Sequence, residues 1–131
     1  MSAVVDASVL VAATVDGGRD GAWAEEVIDA GHLVAPDLVL VEATNILRRL
    51  ERARSLTRLE ATAAQRDLLR LDVELAPFEP FAERIWELRS TITSYDAWYV
   101  AVAEGLRLPL ATLDLRLSRA NGPTCRFLTP G

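Results

Sequence analysis

The sequence predicts an α/β fold in which one domain, residues 1–131, carries a five-stranded parallel sheet flanked by helices. The chain has 131 residues, which is the usual size of a single domain. Short apolar runs alternate with longer helical segments along the chain, an order typical of parallel sheets with helical crossovers. No internal repeat, linker or low-complexity segment divides it.

The predicted strands are short apolar runs. They cover residues 3–5, 33–35, 73–76, 110–113 and 125–128. In open parallel sheets, ligands bind beyond the carboxyl ends of the strands. The residues that directly follow each strand are therefore the first candidates for function.

Helices are predicted between the strands from apolar spacing and cap residues. Asp37 is expected to cap a long helix, and Thr57 with Glu60 forms a capping box for the next one. Ser94 is expected to cap a later helix that Gly105 stops. The predicted helices cover residues 8–15, 22–30, 38–55, a segment from 58, 80–90, 95–104 and a short segment after 114.

The composition excludes several kinds of chemistry. All 14 basic residues are arginine, so the chain has no P-loop lysine, Schiff-base lysine or lysine general base. A single cysteine, Cys125, and a single histidine, His32, exclude an internal disulfide, a zinc finger and a two-histidine ribonuclease.

The net charge of −5 argues against a simple nucleic-acid binder, whose surface is usually basic. No signal peptide is expected, because Asp6 interrupts the N-terminal apolar run. No apolar stretch reaches the ~18 residues that a membrane span needs. With one unpaired cysteine, we expect a cytoplasmic protein without membrane association.

Four acids occupy positions that call for an explanation. Asp6 follows the first predicted strand and Asp114 follows the fourth, so the two share one edge if these strands are neighbours. Glu42 interrupts the apolar run 38–43, and Asp96 lies in the first turn of an apolar helix, whose dipole favours an ionised acid. Taken singly, each has an ordinary interpretation, such as a helix cap or, for Glu42, an ion pair with Arg49.

Taken together, the four acids favour a metal site. Burying unpaired carboxylates is costly and clustered carboxylates repel one another, whereas Mg²⁺ and Mn²⁺ prefer oxygen ligands. Two divalent ions would largely offset the net charge of −5. We expect the carboxylate oxygens to lie close enough to share ions. The chemistry that fits best is attack on a phosphodiester by a metal-activated water.

Four segments, in order along the chain, resemble the PIN-domain nucleases and, among these, the VapC-type toxins of bacterial toxin–antitoxin pairs. They are VVDAS (4–8), PDLVLVEATN (36–45), SYDAWYVAVA (94–103) and LATLD (110–114). The likeness covers nearly the whole chain. It implies a ribonuclease domain over residues 1–131, dependent on Mg²⁺ or Mn²⁺, that cuts RNA, commonly tRNA or rRNA. It also implies a VapB-type antitoxin partner, a homodimer and a toxin–antitoxin hetero-oligomer.

The resemblance assigns roles by position. The family's acidic quartet, expected to be catalytic and to bind metal, corresponds to Asp6, Glu42, Asp96 and Asp114. Ser8 and Thr112 match hydroxyl positions that support the site, and Asn45 matches a polar residue that orients the glutamate. Arg116 stands where some relatives carry a further acid, so a fifth acid is not expected.

Several arginines cluster at the end of the long predicted helix: Arg48, Arg49, Arg52 and Arg54. They complement the negative end of the helix dipole. The first three are also candidates for contacts with RNA phosphates, which arginine binds in a bidentate manner. Both roles are compatible.

Two other functions are open. A receiver domain or a haloacid-dehalogenase-like phosphohydrolase also uses acids and a metal, but the first expects a late lysine and the second an acid where Ser8 stands. A non-catalytic PIN-like module that binds RNA or protein is the other alternative, and it does not require all four acids. RNA cleavage with and without EDTA distinguishes them.

A toxic ribonuclease requires an inhibitor. We expect the C-terminal segment of the antitoxin to lay an apolar helix near Val9, Val11, Trp23 and Val27 and to present an arginine or lysine to the four acids. Apolar burial would supply most of the affinity. The alternative is that these apolar residues form only core and dimer contacts.

Overall fold

The computed structural model describes residues 1–131 and joins five strands in one parallel sheet. The strands are β1 Ala3–Val5, β2 Leu33–Pro36, β3 Val73–Ala76, β4 Leu110–Ala111 and β5 Phe127–Leu128. Their order across the sheet is β3-β2-β1-β4-β5, and every neighbouring pair is parallel. The predicted fold class is therefore confirmed.

Seven α-helices flank the sheet. They are α1 Ala7–Val15, α2 Arg19–Asp29, α3 Val39–Arg52, α4 Arg58–Arg70, α5 Ala82–Glu87, α6 Ser94–Leu106 and α7 Leu115–Ser118. A 3₁₀ turn, Glu79–Phe81, precedes α5, so the helix expected over 80–90 is shorter than predicted. Helix α1 packs against α2, α3 and α4, whereas α6 packs on α5 and on the sheet. None of the helices combines the length and apolar composition that a membrane span requires.

The central strand β1 organises the sheet. Val4 pairs with Val34 of β2 on one side and with Leu110 of β4 on the other. All three residues of β1 are buried, as expected for a parallel strand covered on both faces. The chain therefore emerges from β1 at the middle of the carboxyl edge, where Asp6 stands.

Helix α6 contains the longest run of consecutive buried residues among the helices. Seven consecutive residues, 97–103, are buried on all sides of it, as in helices that are apolar all round. Its first turn, which contains Asp96, remains partly exposed. The helix thus runs from the surface of the site into the core.

The ends of α6 differ from the prediction. Thr93, not Ser94, is the N-cap, and its hydroxyl accepts a hydrogen bond from the Asp96 backbone N–H at 3.2 Å. Gly105 does not stop the helix, which continues to Leu106 and ends at Arg107 in a left-handed conformation. Gly105 lies within the last helical turn, and the helix ends where the backbone of Arg107 takes the left-handed conformation.

Other boundaries also differ from the prediction: α2 begins at Arg19 rather than at 22, α3 ends at Arg52 rather than at 55, and β5 begins at Phe127 rather than at 125. The Asp37 N–H donates to the Ala76 carbonyl at 3.0 Å and prolongs the pairing of β2 with β3 by one residue. Leu38 rather than Asp37 is the N-cap of α3, and no side chain caps this helix. Strand β4 ends at Ala111 and not at 113. The Thr112 N–H still donates to the Leu128 carbonyl at 3.0 Å, and the chain bends at Leu113. By contrast, the capping box predicted at the start of α4 is present.

Gly21 offers a test of the close approach between α2 and the turn before it. A Cβ at this position would lie 1.7 Å from the Asp16 carbonyl oxygen, so the backbone would have to shift. We expect Gly21→Ala to lower the free energy of unfolding by about 1–3 kcal/mol in urea titrations. Gly17→Ala is the matched control, since nothing lies within 4 Å of the place that a methyl group would take there. Equal losses in the two variants would contradict the interpretation.

Candidate active site

The strand order changes direction between β1 and β4. The chain passes from β1 to β2 and β3 on one side, then crosses to β4 and β5 on the other. Such a switch point leaves a crevice at the carboxyl edge of the sheet. A cavity of about 600 Å³ opens there, and its lining includes all four predicted acids: Asp6, Glu42, Asp96 and Asp114. Strands β1 and β4 are thus neighbours, and they deliver two of the acids to one place.

Each acid stands at the N-terminal end of a helix. Asp6 is the N-cap of α1 and Asp114 is the N-cap of α7, whereas Glu42 and Asp96 lie in the first turns of α3 and α6. The positive ends of the backbone dipoles stabilise negative charge there. The ordinary interpretation of the two aspartates as helix caps is therefore also true.

Asp6 is the most buried of the four, with 9% of its surface exposed. One carboxylate oxygen accepts hydrogen bonds from the Ser8 hydroxyl and from the Val9 backbone N–H, and the other accepts from the Thr112 hydroxyl. Burial raises the pKa of Asp6, and these hydrogen bonds oppose that rise. The side chain is fixed at the base of the cavity.

The two hydroxyls also connect the turns that carry the aspartates. The Ser8 hydroxyl accepts a hydrogen bond from the Leu113 N–H at 3.4 Å, and the Thr112 hydroxyl accepts from the Asp114 N–H at 2.9 Å. The Asp114 carboxylate accepts in turn from two backbone N–H groups of α7, at 3.0 and 3.1 Å. The β1–α1 and β4–α7 turns therefore form one hydrogen-bonded unit.

Glu42 is held by a residue that the sequence did not single out. Its Oε1 accepts a hydrogen bond of 2.8 Å from the Tyr99 hydroxyl. Asn45 lines the same cavity but makes no hydrogen bond with Glu42, so the structure does not give Asn45 the orienting contact that was expected. Tyr99 carries the only hydroxyl in the buried run 97–103 and follows Asp96 by three residues, which is the signal that could have identified it.

The acids influence one another electrostatically. Burial raises the pKa of Glu42, the hydrogen bond from Tyr99 opposes the rise, and the charges of Asp96 and Asp6 add to it. Burial and the charge of Asp114 raise the pKa of Asp96. Burial and the charge of Glu42 also raise the pKa of the Tyr99 phenol well above its ordinary range.

The side chains as they stand do not form a ready-made metal cage. No group of three or more His, Cys, Asp or Glu side chains is arranged to hold an ion. That carboxylate oxygens lie close enough to share ions stays a prediction. The acids that line the cavity nevertheless present carboxylate oxygens as possible ligands, and no histidine or cysteine lines it. This donor set fits Mg²⁺ or Mn²⁺, because Mg²⁺ is usually bound by one or two carboxylates together with water and substrate oxygens.

The three candidate RNA-binding arginines differ in position. Arg49 lines the cavity on the same face of α3 as Glu42 and forms no ion pair. Arg48 lines a smaller depression that adjoins the cavity at Val41. Arg52 is exposed in the last turn of α3, outside the cavity.

An apolar groove of about 370 Å³ adjoins the acidic cavity. Val11 and Val15 of α1 face Ile46 and Leu50 of α3 across it. Val9 is fully buried and does not line the groove, so the predicted partner contact at Val9 is wrong. Trp23 and Val27, the other predicted contacts on α2, are partly buried against the core and also lie outside the groove.

Fold and site together define an α/β domain with a carboxylate-lined cavity at the switch point of its sheet. Residues 3–123 match the PIN domain. The chain belongs to the PIN-domain family, and within it to the group that contains the VapC proteins.

The curated relatives are similar to this chain over nearly its full length. VapC ribonuclease Mb0985 of Mycobacterium bovis is 40% identical over 122 residues, which is 93% of each chain. Ribonuclease VapC1 of Mycobacterium tuberculosis is 35% identical over 125 residues, 95% of this chain and 94% of the relative.

Solved structures show the same architecture. PAE2754 from Pyrobaculum aerophilum superposes with a TM-score of 0.62 and 30% identity, over 90% of this chain and 86% of that one. VapBC2 from Rickettsia felis, bound to a DNA fragment from its promoter, gives a TM-score of 0.66 over 98% of both chains. At 15% identity, the second match supports the fold alone.

Asp96 allows the repulsion within the cavity to be measured. Because its pKa is raised above the ordinary value of 3.8, the folded state binds the proton more tightly than the unfolded chain. Its contribution to stability therefore falls as the pH rises from about 3.8 through the raised pKa. In EDTA, Asp96→Asn should match the wild type at low pH and be more stable at pH 7, by less than about 1 kcal/mol because solvent screens this half-buried group.

Urea unfolding across this pH range provides the measurement. The stability difference between Asp96→Asn and the wild type should grow with pH. A difference that is constant with pH, or a wild type more stable than the variant at neutral pH, would contradict the assigned repulsion.

Proposed function

We propose that this protein is a metal-dependent endoribonuclease that acts in the cytoplasm as the toxin of a type II toxin–antitoxin pair. The observation that carries the proposal is the placement of four carboxylates in one cavity at the switch point of the sheet. Membership of the PIN-domain family and relatives named ribonucleases support it. The proposed substrates are tRNA or rRNA, as the family resemblance implies.

The metal ion would be Mg²⁺ or Mn²⁺, and the residues that would hold it are Asp6, Glu42, Asp96 and Asp114. When bound, the ion supplies a nucleophilic water and stabilises negative charge on the phosphodiester. Ser8 and Thr112 keep Asp6 in one orientation through their hydroxyl groups. Asn45, which also lines the cavity on the α3 side, would contact the substrate.

Arg49 is proposed to bind a phosphate of the RNA. It is the one cation that lines the cavity, it has no carboxylate partner, and its guanidinium can donate two parallel hydrogen bonds to a phosphate. Arg48 and Arg52 would extend this contact along α3. An arginine at the edge of an anionic cavity offsets the repulsion between the acids and the RNA backbone.

Loss of an acid should abolish cleavage without unfolding the protein. Substituting a residue that only supports a metal ligand typically lowers metal affinity or activity by about 10–100-fold. Replacing a proposed ligand itself, as in Asp6→Asn or Asp96→Asn, should therefore lower the cleavage rate by at least about 100-fold. The measurement is cleavage of a labelled tRNA with Mg²⁺ or Mn²⁺, with circular dichroism to verify the fold. EDTA should stop the wild type. Full activity in a folded Asp96→Asn variant would refute the role of Asp96.

The same assay separates substrate binding from chemistry. Arg49→Gln should raise KM for RNA more than it lowers kcat, because a phosphate contact contributes equally to the ground state and the transition state. Arg66→Gln is the matched control, since Arg66 is exposed on α4 and lies outside the cavity. An equal effect of both substitutions would indicate only a general loss of positive charge.

A VapB-type antitoxin is the proposed partner, in a hetero-oligomer that contains a toxin homodimer. The apolar groove between α1 and α3 is continuous with the cavity, because Ser8 and Ile46 line both. An apolar helix in the groove would place an adjacent arginine or lysine among the acids. That cation would compete with the metal ion and block the substrate.

Co-expression with the product of the adjacent gene tests the partnership. We expect a stable complex that no longer cleaves RNA, and light scattering gives its stoichiometry. Val15→Glu should weaken the complex by at least about 10-fold, because it places a charge in an apolar contact. Leu69→Glu, at an exposed position of α4, is the control and should leave the affinity of the complex unchanged. If charge reversal of the antitoxin's basic residues leaves inhibition unchanged, the cation does not act in the cavity.

A further inference from the structure

We propose that Tyr99 is a positioning residue of the site, which holds the Glu42 carboxylate in the orientation that binds the divalent ion. The inference rests on the proposed function, because Glu42 matters only if the cavity binds a metal. It assigns a task to a buried hydroxyl that belongs neither to the acidic quartet nor to the two supporting hydroxyls.

The geometry links two helices through one hydrogen bond. Tyr99 follows Asp96 by three residues, so both lie on the face of α6 that lines the cavity. Its hydroxyl donates to the Glu42 Oε1 at 2.8 Å, across a separation of 57 residues in sequence. Helix α6 therefore carries one acid of the cavity, Asp96, and restrains a second, Glu42, through Tyr99.

Neither partner has an alternative. The Tyr99 hydroxyl donates to no other acceptor, and the Glu42 carboxylate accepts from no other donor. Only 2% of the Tyr99 surface is exposed, and a buried phenol needs an acceptor. A glutamate side chain has several rotatable bonds, so without the hydroxyl the carboxylate would sample many orientations.

Two other acids of the cavity, Asp6 and Asp114, are held in place by hydrogen bonds of their own. Asp6 accepts from two hydroxyls and one backbone N–H, and Asp114 accepts from two backbone N–H groups. Glu42 lies within the first turn of α3 rather than at its cap, and no backbone N–H reaches its carboxylate. Tyr99 supplies the restraint that the helix end does not provide.

The test is the affinity for Mn²⁺ alone, measured by isothermal titration calorimetry. Tyr99→Phe removes the hydroxyl but keeps the ring that fills the core, so the variant should fold. We expect its Mn²⁺ affinity to fall about 10-fold, the lower end of the usual effect of an outer-shell partner. Tyr95→Phe is the matched control for this titration, because Tyr95 lies on the same helix and lines the same cavity, but its hydroxyl makes no hydrogen bond to a carboxylate.

A double substitution shows whether the hydroxyl acts through the carboxylate. If it does, adding Tyr99→Phe to Glu42→Gln should change Mn²⁺ affinity less than about twofold, because the positioned charge is already gone. In RNA cleavage at subsaturating Mn²⁺, Tyr99→Phe should lower kcat and leave KM for RNA unchanged, and excess Mn²⁺ should restore part of the rate. A full additional 10-fold loss in the double variant would show a merely structural role and overturn the inference.

The outcomes separate this inference from the proposed function. A wild type that binds Mn²⁺ but does not cleave RNA, with weaker binding in Tyr99→Phe, would reject the ribonuclease and support the role of Tyr99. An active wild type with unchanged Mn²⁺ affinity and kcat in Tyr99→Phe would reject only the role of Tyr99. A wild type that binds no Mn²⁺ would overturn both.

Discussion

Four carboxylates that share one cavity repel one another, and the fold must compensate for that repulsion. It does so with the positive ends of four helices, which α1, α3, α6 and α7 direct at the carboxyl edge of the sheet. Neutral donors add to the compensation, since hydroxyl and backbone N–H groups donate hydrogen bonds to Asp6, Glu42 and Asp114. Arg49 is the only cation that lines the cavity. The compensation is therefore partial, and the cavity stays anionic and suited to a divalent cation.

The core determines where these groups stand. Asp6 follows a strand of three buried residues at the centre of the sheet, and Asp96 and Tyr99 lie on a helix whose residues 97–103 are packed into the core. The hydroxyls of Ser8 and Thr112 then fasten the β1–α1 turn to the β4–α7 turn. A site built on elements this rigid retains its geometry better than a site built on loops.

The sequence predicted those parts of the structure that depend on local pattern. Apolar runs located all five strands, and the spacing of Thr57 and Glu60 located a capping box. Prediction failed where the outcome depended on distant groups: the Asp37 N–H extends the pairing of β2 with β3 to the Ala76 carbonyl, and α3 begins one residue later, with Leu38 as its N-cap. Tyr99 was missed for the same reason. In a run of seven buried residues it resembles any other core residue, and its partner lies 57 positions away.

The four acids are not equivalent, although the family resemblance groups them. Asp6 is buried and its oxygens accept from three donors, so neutralising it also leaves the Thr112 hydroxyl without its charged acceptor. Asp96 is half exposed, and repulsion from Asp114 adds to the effect of burial. Burial raises the pKa of both acids, so ionisation of either one costs the metal-free fold some stability, but only Asp6 is integrated into the hydrogen bonding that joins β1 to β4. Asp6 therefore serves both the architecture and the cavity, whereas the Asp96 carboxylate lines the cavity without joining elements of the fold by a hydrogen bond.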